Sequence, residues 1–124
     1  MYHIAVLTSS ETQEAFYIEQ LSRFCFERGL FPKMDCYHGQ ELFFDVARVN
    51  APTCTVIALP GVEGLNAVEH LRTLFPETRI IWCSDLDFSL HAFRLRVEYF
   101  FMEPVDEQKI REGFSVWLKH SKAM

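Results

Sequence analysis

The stretch Thr55-Val56-Ile57-Ala58-Leu59-Pro60-Gly61-Val62-Glu63-Gly64-Leu65-Asn66-Ala67-Val68-Glu69-His70-Leu71 restricts the folds open to this chain more than any other. It opens as a short continuous apolar run, the pattern of a strand covered on both faces. A Pro-Gly pair breaks that strand, and Gly64 marks the end of the loop. Leu65, Val68 and Leu71 then recur near helical spacing. The unit reads strand, tight loop, helix. It sits mid-chain among alternating strand and helix signals, as a central strand of a parallel sheet would.

The flanking sequence repeats the alternation. Ile4 to Leu7 is a short apolar strand, and Ser10 with Gln13 forms a capping-box signal for a helix from Glu11. Phe16, Ile18, Leu21 and Cys25 give that helix an apolar face, and Gly29 is its stop. Lys33 to His38 reads as a second strand, and Gly39-Gln40-Glu41-Leu42 turns into a helix ending before Asn50-Ala51-Pro52. Arg79 to Cys83 is a fourth strand, with Ser84-Asp85 as the cap of a short helix reaching about Leu95. Tyr99 to Met102 is a fifth strand, ended by Glu103-Pro104. From Asp106 to Lys119, Ile110, Phe114, Trp117 and Leu118 fall on one helical face. Five strands alternating with five helices predict an α/β, flavodoxin-like, doubly wound parallel sheet of order 2-1-3-4-5.

Composition narrows the class. The 124 residues, 49% of them hydrophobic and 12 of them phenylalanine, suit one domain spanning 1–124 with a substantial core. No apolar run reaches the roughly 18–20 residues of a membrane-spanning helix. The N-terminal Met-Tyr-His-Ile-Ala-Val-Leu lacks the flank and cleavage pattern of a signal peptide. A net charge of −5 argues against direct binding of nucleic acid, which needs a basic face. Cys25, Cys36, Cys54 and Cys83 sit in apolar segments without metal-ligand spacing, as buried reduced thiols of a cytoplasmic protein do. His3, His38, His70, His91 and His120 fall on different elements, so neither a metal site nor a cofactor is expected.

Three motifs carry a family resemblance: the strand ending in Pro60-Gly61-x-x-Gly64, the segment Ala92 to Pro104, and Gly39-Gln40-Glu41-Leu42. In this order, and over essentially the whole chain, they resemble CheY-like response-regulator receiver domains, the receivers of LytTR-type regulators in particular. The resemblance implies two-component signal transduction. In that family an acidic pair and an aspartate hold Mg²⁺, and the aspartate takes the phosphoryl group. A hydroxyl residue and a lysine hold the phosphoryl oxygens.

Carried over by position, the acidic pair corresponds to Thr8 and Ser9, the nucleophile to Ala58, the hydroxyl residue to Ser84 and the lysine to Glu103. Alanine cannot be phosphorylated, and two hydroxyls with a methyl do not replace three carboxylates around Mg²⁺. Shifting the nucleophile's register offers only Val56, Ile57 or Leu59. A degenerate phosphorylation site is therefore expected, with Ser84 as a helix cap. A nucleophilic Ser84 would need His38 or His91 beside it. Glu103 has two open roles, pairing with Thr8, Ser9 or Ser84, or pointing to solvent. Phe100 corresponds to the family's switch aromatic.

The expected function is that of an atypical, non-enzymatic receiver working by phosphorylation-independent protein–protein contact in signalling or transcription control. The partner would be a sensor or effector protein, or a second copy, met on the face of helix 4, strand 5 and helix 5. Arg94, Arg96, Phe101 and Lys109 are the candidate contacts there. Two alternatives stay open: the receiver part of a longer DNA-binding regulator, and a small-ligand domain using the strand-end pocket.

Overall fold

The computed structural model describes residues 2–122, with side chains through Lys119; the His120 side chain lies outside the described set. The strands are β1 (His3–Thr8), β2 (Lys33–Tyr37), β3 (Cys54–Ala58), β4 (Arg79–Ser84) and β5 (Tyr99–Met102). The helices are α1 (Glu11–Glu27), α2 (Gln40–Val49), α3 (Gly61–Leu74), α4 (Ser89–Arg94) and α5 (Glu107–Lys122). The sheet is wholly parallel in the order β2-β1-β3-β4-β5, as the alternation predicts. No described helix is long and apolar enough to cross a membrane.

Both faces of the sheet are covered, which explains the unbroken apolar strands. Along β1, Ile4 and Val6 face one core with Tyr17, Phe24, Phe114 and Trp117 of α1 and α5. Ala5 and Leu7 face the other with Phe43, Val68, Leu71 and Trp82. Trp82 stacks on Phe88 at 5.3 Å and meets Phe100 edge-on at 5.1 Å.

Local signals set the helix ends, with three corrections. Ser10 Oγ accepts from Gln13 N at 3.1 Å, but the return half of the capping box is missing because the Gln13 amide reaches Glu103 instead. Gly29, at φ +70°, closes α1, with Leu30 N–H donating to Cys25 O and Gly29 N–H to Phe26 O. The second correction concerns Gly64, which is not the end of a loop. It lies inside α3, where a Cβ would come within 2.4 Å of Leu59 O. Close approach of helix to strand, and not turn geometry, requires that glycine.

The third correction concerns α4, which starts at Ser89 instead of after Ser84-Asp85. The carboxylate at its start is that of Asp87, one residue before the N-cap Phe88, and it accepts from both Ser89 N–H and Ser89 Oγ. Those bonds hold its carboxyl below the usual aspartate range. Asp85, two residues earlier, is drawn elsewhere.

Remote from these ends, the buried Arg72 guanidinium joins two segments through main-chain carbonyls. Nε donates to Leu95 O at 2.8 Å and Nη2 to Arg96 O at 3.1 Å. Nη1 reaches Pro76 O at 2.9 Å and Thr78 O at 2.7 Å. Arg96 itself adopts φ +57° in the turn that Arg72 braces.

Candidate functional site

The site predicted from sequence lies where the carboxyl ends of the strands meet. The register pairs Thr8 with Ala58 and Ile57 with Trp82, so Ala58 is level with Cys83 and Ser84 follows one residue further along β4. Thr8 and Ser84 are each 1% exposed and Ala58 5%, whereas Ser9 is exposed. Hydroxyl, methyl and hydroxyl thus face the rim.

Each hydroxyl is already engaged. Thr8 Oγ1 donates to Ser10 O at 3.1 Å, closing the turn into α1. Ser84 Oγ accepts from Leu86 N–H at 3.1 Å and donates to Asp85 Oδ1 at 3.4 Å. Asp85 Oδ1 in turn accepts from Gly61 N–H at 2.7 Å. A carboxylate from the β4–α4 loop therefore sits on the first amide of α3, where the N-cap Pro60 offers no side-chain cap. Sequence reading missed this bond. The free amide at Gly61 and two nearby acids, Asp85 and Asp87, were visible, but which acid turns which way depends on the tertiary approach of β3 and β4.

Below the rim, Tyr17 of α1 hydrogen-bonds Cys83. Burial pushes the Cys83 thiol up to about 11, with the negative charges of Glu103 and Asp85 adding to the rise. Burial likewise pushes the Tyr17 phenol far above its usual range. Both groups stay neutral at physiological pH. Glu103 is exposed, the second of the two roles left open for it; its carboxylate accepts from Gln13 Nε2 at 3.3 Å and its backbone N–H donates to Ser84 O at 2.9 Å. The groove between α1 and this loop, about 400 Å³, is lined by Thr12, Gln13, Phe16, Tyr17, Glu103, Pro104 and Val105.

The Mg²⁺ that receiver chemistry uses does not fit this donor set. A hard cation of this kind needs charged oxygens to offset its dehydration. Thr8 and Ser84 are neutral and engaged, Ala58 has no donor, and the Asp85 oxygen is committed to Gly61. Among the described residues no group of three His, Cys, Asp or Glu is placed to hold a metal. Nor does a histidine among the described residues reach Ser84. His38 hydrogen-bonds Glu14, and His91 lies edge-on to Phe88 at 5.5 Å.

The remaining predicted residues divide. Phe100 is partly buried against Trp82, facing the α3 side of the sheet. Phe101 points to the opposite face and is 6% exposed in the α1–α5 core, so it is withdrawn as a partner contact: strand alternation turns it inward. Lys109 is half-buried, with Nζ donating to Met102 O at 3.0 Å and Pro104 O at 2.7 Å, which makes it a brace of the β5–α5 loop. Arg94 and Arg96 are exposed. The neighbouring Leu90 and Phe93 are 58% and 82% exposed.

No family model matches the chain, and no curated protein matches it significantly. Solved structures match it closely in shape. The response regulator DrrB, a Thermotoga maritima OmpR/PhoB homolog, superposes at TM-score 0.76 with 17% identity, over 98% of this chain and 54% of DrrB. The REC domain of AraT, a response regulator from Geobacillus stearothermophilus, gives TM-score 0.73 and 17% identity over 98% and 97%. The signal receiver domain of a DNA-binding response regulator from Colwellia psychrerythraea gives 0.78 and 10% over 96% and 99%. The chain has the flavodoxin-like fold of response-regulator receiver domains. It spans about half the length of DrrB and nearly all of the isolated receivers.

Proposed function

We propose that this chain is an atypical receiver domain, which works through protein contact and takes no phosphoryl group at its strand ends. The observation that carries the reading is the rim of Thr8, Ala58 and Ser84, buried, uncharged and closed by Asp85 on Gly61. Phosphoryl transfer needs a nucleophile and charge-neutralising groups at that point, and this rim supplies neither. The reading extends to a non-enzymatic role in two-component signalling inside the cytoplasm. Its partner would be a sensor or effector protein, or the rest of a longer regulator, as the half-length match to DrrB suggests.

The partner surface in this proposal is the exposed side of α4 and the turn after it. Leu90, Phe93, Arg94 and Arg96 combine apolar area with positive charge on a chain of net charge −5. An aromatic flanked by arginines is the composition of a protein-binding anchor. Titration with Mg²⁺ and then beryllofluoride, followed by Trp82 emission and amide spectra, tests the rim. No response at millimolar metal is expected. A saturable response centred on Thr8, Ser9, Ala58 and Ser84 would overturn the reading. The surface is tested separately by Phe93→Asp with Arg94→Glu, and an unchanged profile of bound proteins would remove it.

A further inference from the structure

A groove of about 880 Å³ lies between α1 and the outer edge of β2. Ile18, Phe26, Leu30, Met34 and Cys36 supply its apolar lining. Phe26 and Phe31 are 70% and 74% exposed and pack edge-on to each other at 6.1 Å. β2 ends the sheet and pairs only with β1. The Lys33 N–H points inward, donating to Tyr2 O at 3.1 Å. Backbone groups alternate along a strand, so Lys33, Asp35 and Tyr37 serve the β1 ladder while Met34 and Cys36 turn their N–H and C=O outward. Among the described residues these outward groups meet no backbone partner.

We propose that this edge pairs with the β2 edge of a second copy of the chain, antiparallel about a twofold axis through Met34. Alternation and charge together select this register. Only even-numbered residues present outward hydrogen-bonding groups, so the axis passes through Met34, Asp35 or Cys36. An axis at Asp35 sets that carboxylate opposite its own copy, which is unfavourable. An axis at Cys36 brings no opposite charges together. An axis at Met34 sets Lys33 opposite Asp35 of the second copy, twice, in the closer, non-hydrogen-bonded pairing.

In this register Met34 N–H donates to Met34 C=O of the second copy, and Cys36 N–H donates to Pro32 C=O. Pro32 lacks an N–H, but only its carbonyl is needed. Lys33, with its side chain 60% exposed, already lies 3.8 Å from Asp35 of its own chain, whose carboxylate also bonds His3 Nε2 at 2.7 Å, so the pairing extends this charge cluster across the axis. The face above agrees. Ser22 Oγ lies 3.8 Å from Met34 Sδ, which puts Ser22 level with the axis. Ile18 lies one helical turn to one side and Phe26 one turn to the other. The twofold therefore brings Ile18 of one groove level with Phe26 of the next, apolar beside apolar, and a five-stranded sheet becomes a continuous sheet of two copies.

Sedimentation velocity on the full chain, from micromolar to near-millimolar concentration, tests this with Lys33→Asp and the swap Lys33→Asp/Asp35→Lys. The wild-type protein is expected to dimerise, K33D to weaken the dimer by about tenfold or more, and the swap to restore it. Far-UV circular dichroism verifies that each variant is folded. A wild-type chain that stays monomeric throughout overturns the proposal. So does a dimer that K33D leaves unchanged, or a weakening that the swap does not reverse. A dimer lost on Phe93→Asp but kept in K33D puts self-association on the α4 face and overturns it too.

Discussion

Gly64→Ala sets two well-understood effects against each other, and the structure gives the magnitudes that decide the sign. Gly64 lies in the first turns of α3, where alanine is worth about 1 kcal/mol over glycine by helix propensity. On local grounds the variant should be more stable. The new Cβ, however, falls 2.4 Å from Leu59 O and 3.3 Å from Trp82 Nε1. A carbon normally keeps roughly 3.3–3.6 Å from a carbonyl oxygen, so helix and strand must part by about 1 Å. The obstructing atom is backbone at the end of β3, and the helix cannot tilt freely, because Ala67, Val68 and Leu71 are each 0% exposed on its inner side. Overpacking by one methyl against so rigid a site stands near the top of its usual range, about 3 kcal/mol. The net expectation is a loss of about 2 kcal/mol, on the order of 8 °C in Tm for a domain of this size. Urea unfolding followed by Trp82 emission measures it, and the Gly61 amide resonance should shift as α3 moves off Asp85. A G64A protein as stable as the parent, or more so, would show that helix and strand are not in this contact.

Arg72→Met strands the carbonyls of Leu95, Pro76, Thr78 and Arg96, and should cost about 3 kcal/mol in chemical unfolding, with Arg72→Lys intermediate. A loss below about 0.5 kcal/mol would mean that water replaces the guanidinium at no cost. Asp85→Ala should speed hydrogen exchange at the Gly61 amide and lower stability by about 1 kcal/mol, while Asp85→Asn, which keeps the acceptor oxygen, recovers most of both. Equal exchange in all three proteins would dismiss the bridge. The pH dependence follows from Tyr17 and the thiols Cys25, Cys36, Cys54 and Cys83, whose folded-state values lie above their unfolded ones. Their contribution is complete below the unfolded thiol value of 9.0 and is lost as pH climbs from there towards about 11, because the unfolded chain ionises first. Urea midpoints should therefore fall between pH 9 and 11, and a midpoint that holds or rises would refute the assignment.

The sheet order was legible because four of the strands are short, mostly apolar runs, β2 alternates polar with apolar residues, and each crossover carries a helical period. Helix boundaries were less so, for reasons particular to each. Gly64 gives the same local signal as a loop glycine, and only the nearness of Leu59 O distinguishes the two. Asp85 and Asp87 are equivalent as letters, and the pull of Gly61 N–H on one leaves the other to bond Ser89 at the start of α4. Within the site, the positions of Thr8, Ala58 and Ser84 followed from strand ends alone. Phe101 was misjudged because an aromatic run such as Tyr99-Phe100-Phe101 carries no label for its inner face. Depth in the sheet decides that face, and it sends Phe101 into the α1–α5 core and leaves Phe93 outside.

The Arg72 guanidinium also fixes which parts of the molecule open together. It holds the loop that follows α3 and the turn between α4 and β5 through one side chain, so neither can open without exposing a buried cation. Amide protection over residues 72–78 and 92–98 should then decay as one cooperative unit, with a shared free energy and a shared response to denaturant. A protein that grips Arg94 and Arg96 would consequently be felt at the far end of α3, as slower exchange there, although nothing touches that helix.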